Sequence, residues 1–193
     1  MSSRDKILAA ISISQPAPMA LPDIDDFITG EEGSLEKYTT ILHAIGGKTY
    51  RVKDYEEIAA IIRSEFTDAS RIVTSCEQLE GFPGIDTGLD SHLLENIDLA
   101  ILKAEFGVAE NGAVWMTEDR MLSRVLPFIS QYLAVVLQAA DIVPTMHHAY
   151  QRIGSSDYGF GAFIAGPSKT ADIEQSLVLG AHGPKGMTVF VMG

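Results

Sequence analysis

The chain is short of cysteine, of basic residues and of long apolar runs, and each shortage removes a class of function. The single cysteine, Cys76, can form no internal disulfide, supplies no CxxC or Cys/His zinc spacing, and cannot ligate an iron–sulfur cluster alone. No run approaches the roughly twenty apolar residues needed to cross a bilayer, and MSSRDKILAAISISQPAP has too short an apolar core for a secretory signal. Fourteen bases stand against 26 acids, a net charge of −12, which argues against a nucleic-acid backbone or an anionic membrane surface as the main partner. Neither GxGxxG after a first strand nor GxxxxGK[ST] occurs, so nucleotide binding by those devices is unsupported. A cytoplasmic protein is the expectation.

What is present is an ordinary globular composition, 46% hydrophobic and 21% charged over 193 residues, the length of one domain with an arm. The arm is residues 1–34. Ile7, Leu8 and Ile11 recur at helical spacing behind a candidate Ser3 cap, and Pro16, Pro18 and Pro22 stop that helix. Asp23 to Glu36 then holds six acids and no base, the composition of a solvated linker. Either a partner or a second subunit, in a homo-oligomer, could cover the apolar face of the first helix.

Residues 35–193 read as one α/β domain. Leu35, Tyr38, Leu42 and Ile45 mark a helix ended by Gly46-Gly47, and Lys48 to Val52 a strand. Asp54 caps a second helix through Ile58, Ile61, Ile62 and Phe66, and Arg71 to Ser75 is a strand. Further strands are expected at 97–102, 107–117 around the tight turn Glu110-Asn111-Gly112, 133–137, 160–165 and 187–192. Polar 120–124 reads as loop, and 143–153 as a helix carrying His147 and His148, whose directions about 100° apart do not suit one metal. Strands alternating with helices predict a mostly parallel sheet.

The densest signal is GFGAFIAGPSKTADIEQSLVLGAHGPKG, Gly159 to Gly186. Gly166-Pro167 breaks an apolar strand, and Ser168 or Thr170 can cap a helix whose first turn carries Asp172 and Glu174. Lys169 is out of place beside a helix N-terminus. It is either the cation of an anion site built with N–H groups and a hydroxyl, or half of a local pair with Asp172. The loop His182-Gly183-Pro184-Lys185-Gly186 offers a proton-transfer residue and another cation, or is simply a turn.

GPSKTADIEQSLVLGAHGP, with AENGAVW at Ala109 to Trp115, resembles the signature of the LUD (lactate utilization) domain family, loosely from Leu35 onward. The resemblance implies a fold similar to the sugar-phosphate isomerase and CoA-transferase (NagB/RpiA/CoA-transferase-like) superfamily, an α/β sandwich with a mostly parallel central sheet. It also implies a role beside iron–sulfur partner proteins in oxidising L-lactate to pyruvate, with the clusters in those partners and no cofactor or metal on this chain. Ala109-Glu110-Asn111-Gly112 further resembles the Ser-Glu-Asn-Gly motif of class I CoA-transferases, whose glutamate attacks an acyl-CoA thioester. The expected site is thus a pocket of Glu110, the turn with Gly166, Ser168, Lys169, Thr170 and Asp172, and His182. There Lys169 would hold a small anion, and Glu110 or His182 would move a proton. Three readings stay open: an accessory lactate-oxidation component, an acyl-group enzyme using Glu110, and a small-anion binding module without turnover.

Overall fold

The computed structural model describes residues 2–17, 19–20, 22–23, 33–84, 90–169 and 179–193. The arm helix α1 (Ser3–Ile13) is capped one residue earlier than its sequence suggests. Ser2 Oγ accepts the Asp5 N–H at 3.2 Å, and the Asp5 carboxylate accepts the Ser2 N–H at 2.8 Å. None of its residues is buried.

The domain begins with α2 (Leu35–Ala44), capped by Ser34, which buries Tyr38 and Leu42. The Gly47 N–H returns to Leu42 O, with Gly46 at φ +96°, and the chain enters β1 (Lys48–Val52). Asp54 caps α3 (Tyr55–Glu65) through the Glu57 N–H, and β2 (Ile72–Thr74) follows. Next come β3 (Leu99–Lys103), the hairpin β4 (Phe106–Val108) and β5 (Ala113–Thr117), short helices α4 (Glu118–Met121) and α5 (Leu126–Ile129), and β6 (Tyr132–Gln138). The chain continues through β7 (Ile142–Val143), α6 (Met146–Ile153), β8 (Gly161–Ile164) and β9 (Gly186–Met192).

Two sheets result. The larger has the order β1-β9-β6-β3-β2 with every pairing parallel. The smaller, β7-β4-β5-β8, is mixed. Both faces of the parallel sheet are covered, which is why its strands are continuous apolar runs. Leu99, Ile101, Ala134, Val136 and Phe190 pack under α3, while Ala100, Leu102, Leu133, Val135, Leu137 and Val189 face α2 and the smaller sheet. The smaller sheet packs its outer face, Phe106, Val108 and Trp115, against Ala149 and Ile153 of α6. This is the α/β sandwich with a mostly parallel sheet that the sequence led us to expect.

Three differences have local causes. The helix expected from Val143 begins at Met146 instead, because Val143 precedes Pro144 and is pushed to extended geometry, where it pairs in β7. The expected polar loop 120–124 begins inside α4, which ends at Met121 with Leu122 at φ +62° as its cap, so only the remainder is irregular. Lys169 lies in an isolated antiparallel bridge with Leu179, not in a helical turn. The helix expected beyond it, with Thr170 and Asp172, lies outside the described residues.

Candidate functional site

The two loops of the C-terminal motif are laced together. Gly166 takes φ +70° and stands so close to α2 that a Cβ there would come within 3.1 Å of Ile45 Cγ1 and Ile45 O. Pro167 is buried against Gly46. The Ser168 N–H donates to Pro184 O at 2.9 Å, and the Gly180 N–H donates to Ser168 O at 3.1 Å. Gly183 leaves room for the Ser168 side chain, whose Cβ would be 3.1 Å from a Cβ at that position. Lys185 then donates its N–H to Gln131 O at 2.7 Å and its ammonium to Gln131 Oε1 at 3.2 Å. Gly166 and Ser168 are half-buried, whereas Lys169, His182 and Lys185 are exposed.

The position of this assembly differs from the expectation for open α/β sheets, in which ligands lie beyond the carboxyl ends of the strands. The Gly166 turn follows β8 of the smaller sheet and rests on Ile45-Gly46, just before the amino end of β1. The His182 loop feeds directly into β9. Both therefore stand at the amino edge of the parallel sheet. A cleft of about 590 Å³ opens along that edge, lined by Gly46, Lys48, Phe66, Tyr132, Lys185 and Gly186 among others. Gly46 joins it to the motif, since Lys169 Cε lies 3.9 Å from where a Gly46 Cβ would be.

Glu110 is engaged by α6, on a hairpin tip that the β5–β8 register directs toward the Gly166 turn. Its Oε2 accepts the N–H of Met146, the first residue of α6, at 2.8 Å, and Thr145 supplies no side-chain cap bond to that helix. Asn111 Oδ1 accepts the Ala113 N–H, and Gly112, at φ +69°, lets the hairpin tip touch Leu42. The carboxylate thus serves as the cap that α6 lacks locally.

The remaining candidate groups have structural partners. His43 Nε2 bonds both the Thr49 N–H and its hydroxyl, His148 Nδ1 meets Thr145 Oγ1, and His92 meets Asp90. The buried Cys76 thiol is pushed up by burial. Among the described residues no three of His, Cys, Asp and Glu converge as a metal site requires, and no helix is long and apolar enough to cross a membrane. Sequence reasoning missed Lys48, Tyr132 and Gln131 as neighbours of the motif. The one available signal was Gly46-Gly47, which reads as a helix stop but also lets Pro167 approach.

Fold and loop arrangement define an α/β sandwich with a glycine-punctuated, lysine-bearing C-terminal assembly. The LUD domain matches residues 90–192, and the chain belongs to that family. It is similar to lactate utilization protein C of Oceanobacillus iheyensis, 25% identical over 185 residues covering 82% of this chain and 78% of that protein. It is also similar to lactate utilization protein C of Bacillus pumilus, 31% identical over 119 residues, 55% of this chain and 50% of that protein. An uncharacterized protein of Neisseria meningitidis is 23% identical over 220 residues, covering 100% of this chain and 94% of its own. Among solved structures, a DUF162 family protein from Deinococcus radiodurans shares the fold, with TM-score 0.64 at 18% identity over 82% of this chain and 96% of the other.

Proposed function

We propose that this protein is a component of L-lactate utilization that works with iron–sulfur partner proteins in oxidising L-lactate to pyruvate, and that it holds a small anion near the Gly166 to Lys169 turn. The observation that carries the pathway is membership of the LUD family together with similarity to relatives named lactate utilization protein C. Oxidising a 2-hydroxy acid to a 2-oxo acid removes two electrons and two protons. One cysteine cannot ligate an iron–sulfur cluster alone, so this reading places the clusters that take those electrons in the partner proteins.

The anion assignment is supported by the exposed Lys169 ammonium, placed beside Ser168 on a turn locked to Pro184 and to α2. An ammonium and a hydroxyl on so fixed a turn suit a carboxylate or phosphate. His182, in the loop laced to that turn, is the residue to move a proton. The acyl-transfer reading would require Glu110 to leave Met146 and uncap α6.

The test is thermal unfolding of the purified protein with L-lactate, pyruvate or inorganic phosphate, beside K169A. A ligand at a hundred times its Kd adds about 2.7 kcal/mol. Stabilisation of the wild type that K169A loses supports the anion site; equal stabilisation of both removes Lys169 from it. Co-purification of the tagged protein with iron–sulfur proteins from lactate-grown cells tests the partnership, and absence of such proteins from the eluate would count against it.

A further inference from the structure

Resting on the reading of the Gly166 to Lys169 turn as an anion holder, we infer that the cleft at the amino edge of the parallel sheet binds the ligand's larger part, and that this ligand is a planar ring carrying a phosphate.

Size is the first argument. At about 590 Å³ the cleft lies within the range of small-molecule and cofactor sites and is several times larger than a three-carbon acid needs. The turn alone would suffice for lactate; the space beside it would not be filled.

Charge is the second. Lys48 of β1 and Lys185 of the His182 loop line the cleft, and Lys169 of the Gly166 turn stands beside Gly46, another lining residue. Three acids, Glu65, Asp68 and Asp98, share the cleft lining, so the positive charge is local to Lys169 and Lys185 rather than a property of the whole cleft. Asp98 stays charged, its Oδ2 accepting the Ser70 N–H, the Ser70 hydroxyl and the Arg71 N–H at 2.8 to 3.0 Å. Glu65 stands 3.5 Å from Lys48, both largely exposed, and Asp68 is exposed on the rim. Lys185 has a neutral partner, Gln131 Oε1, so its charge is available to an anion.

The aromatic wall is the third. Tyr132 begins β6, a strand otherwise buried from Leu133 to Leu137, yet the residue is 39% exposed and lines the cleft. Phe66 meets it edge-on at 5.6 Å. Gly186 on the neighbouring strand lets the ring lie against it, since a Cβ there would come within 3.0 Å of Tyr132 Cδ1. A supported aromatic ring with one accessible side is a stacking platform for a flat ligand. Lysines a short reach away then fit a phosphate attached to it.

The test is titration calorimetry of the full chain with AMP, adenosine, inorganic phosphate and L-lactate, on wild type, Y132A, K185A and K169A. AMP is expected to bind about tenfold or more tighter than phosphate. Y132A should erase that preference while leaving phosphate binding intact, and K185A should weaken AMP and phosphate but leave adenosine unchanged. Phosphate or L-lactate binding that depends on Lys169, with AMP no tighter, would overturn this inference and leave the anion site standing. Binding of AMP that Y132A does not weaken, or that adenosine equals, overturns it as well. If no anion binds, or K169A changes nothing, the anion site itself falls and the inference with it. A circular-dichroism melt of each variant separates lost binding from lost fold.

Discussion

The Glu110 carboxylate receives the N–H of Met146 at 2.8 Å, so the β4–β5 hairpin caps a helix that starts 36 residues further along the chain. This relationship predicts opposite results from those of a nucleophile. E110A should lower stability by about 1 kcal/mol, the usual cost of losing a helix cap, and E110Q should lose less because an amide oxygen still accepts. Urea unfolding followed by circular dichroism measures both. Two variants as stable as wild type would show that the cap contributes nothing.

Gly166 should resist substitution. Its φ of +70° and the 3.1 Å approach to Ile45 combine backbone strain with a steric clash, so G166A should cost about 1–2 kcal/mol or more. The shift of the urea midpoint reports it. The same variant should also weaken any ligand response at Lys169, because the turn that aims Lys169 rests on that contact. A variant that keeps both stability and response would detach the turn from α2.

Acid should weaken the domain through Asp98. The Arg71 N–H, helped by the Ser70 N–H and hydroxyl, holds this carboxyl below the usual aspartate range, against the opposing pull of burial. A folded-state pKa below the unfolded one gives stability that is fully present above the unfolded value and is lost as pH falls through the folded one. The difference between wild type and D98N should therefore be largest near neutrality and shrink steadily in acid. A difference independent of pH would show that the hydrogen bonds do not favour the charged form.

Cys76 should behave as a buried thiol. With burial raising its pKa, it should stay unmodified by a thiol reagent in the native protein at mildly alkaline pH and react fully in denaturant. Counting released thiolate chromophore distinguishes the two states. Fast native labelling would place the residue in a more open environment than its neighbours Leu79 and Ile101 provide.

Much of the architecture was legible because the physics behind it is local. Asp54 caps where a capping residue stands in the sequence, and both faces of β3, β6 and β9 are buried, leaving apolar runs that show plainly. Pairing order could not be read this way, because β9 meets β1 across 140 residues through backbone groups that every residue shares. The candidate residues were visible by type, but not all by position. Lys169 and His182 stand out by residue type, yet their position at the amino edge depends on Gly46 and Gly166 admitting one loop against another. Tyr132 was invisible for a similar reason, since an aromatic at the start of a buried strand gives no hint that a glycine on the neighbouring strand will admit its ring.

Strand β9 is the last element along the chain, and it lies between β1 and β6, supplying the parallel neighbour on both sides. During synthesis β1 emerges among the first elements of the domain and then waits, its edge unsatisfied, until residues 186–192 have left the ribosome. The parallel sheet therefore joins only after β9 has been made, and a nascent chain stalled before Gly186 would expose two open strand edges to chaperones or to other copies of itself.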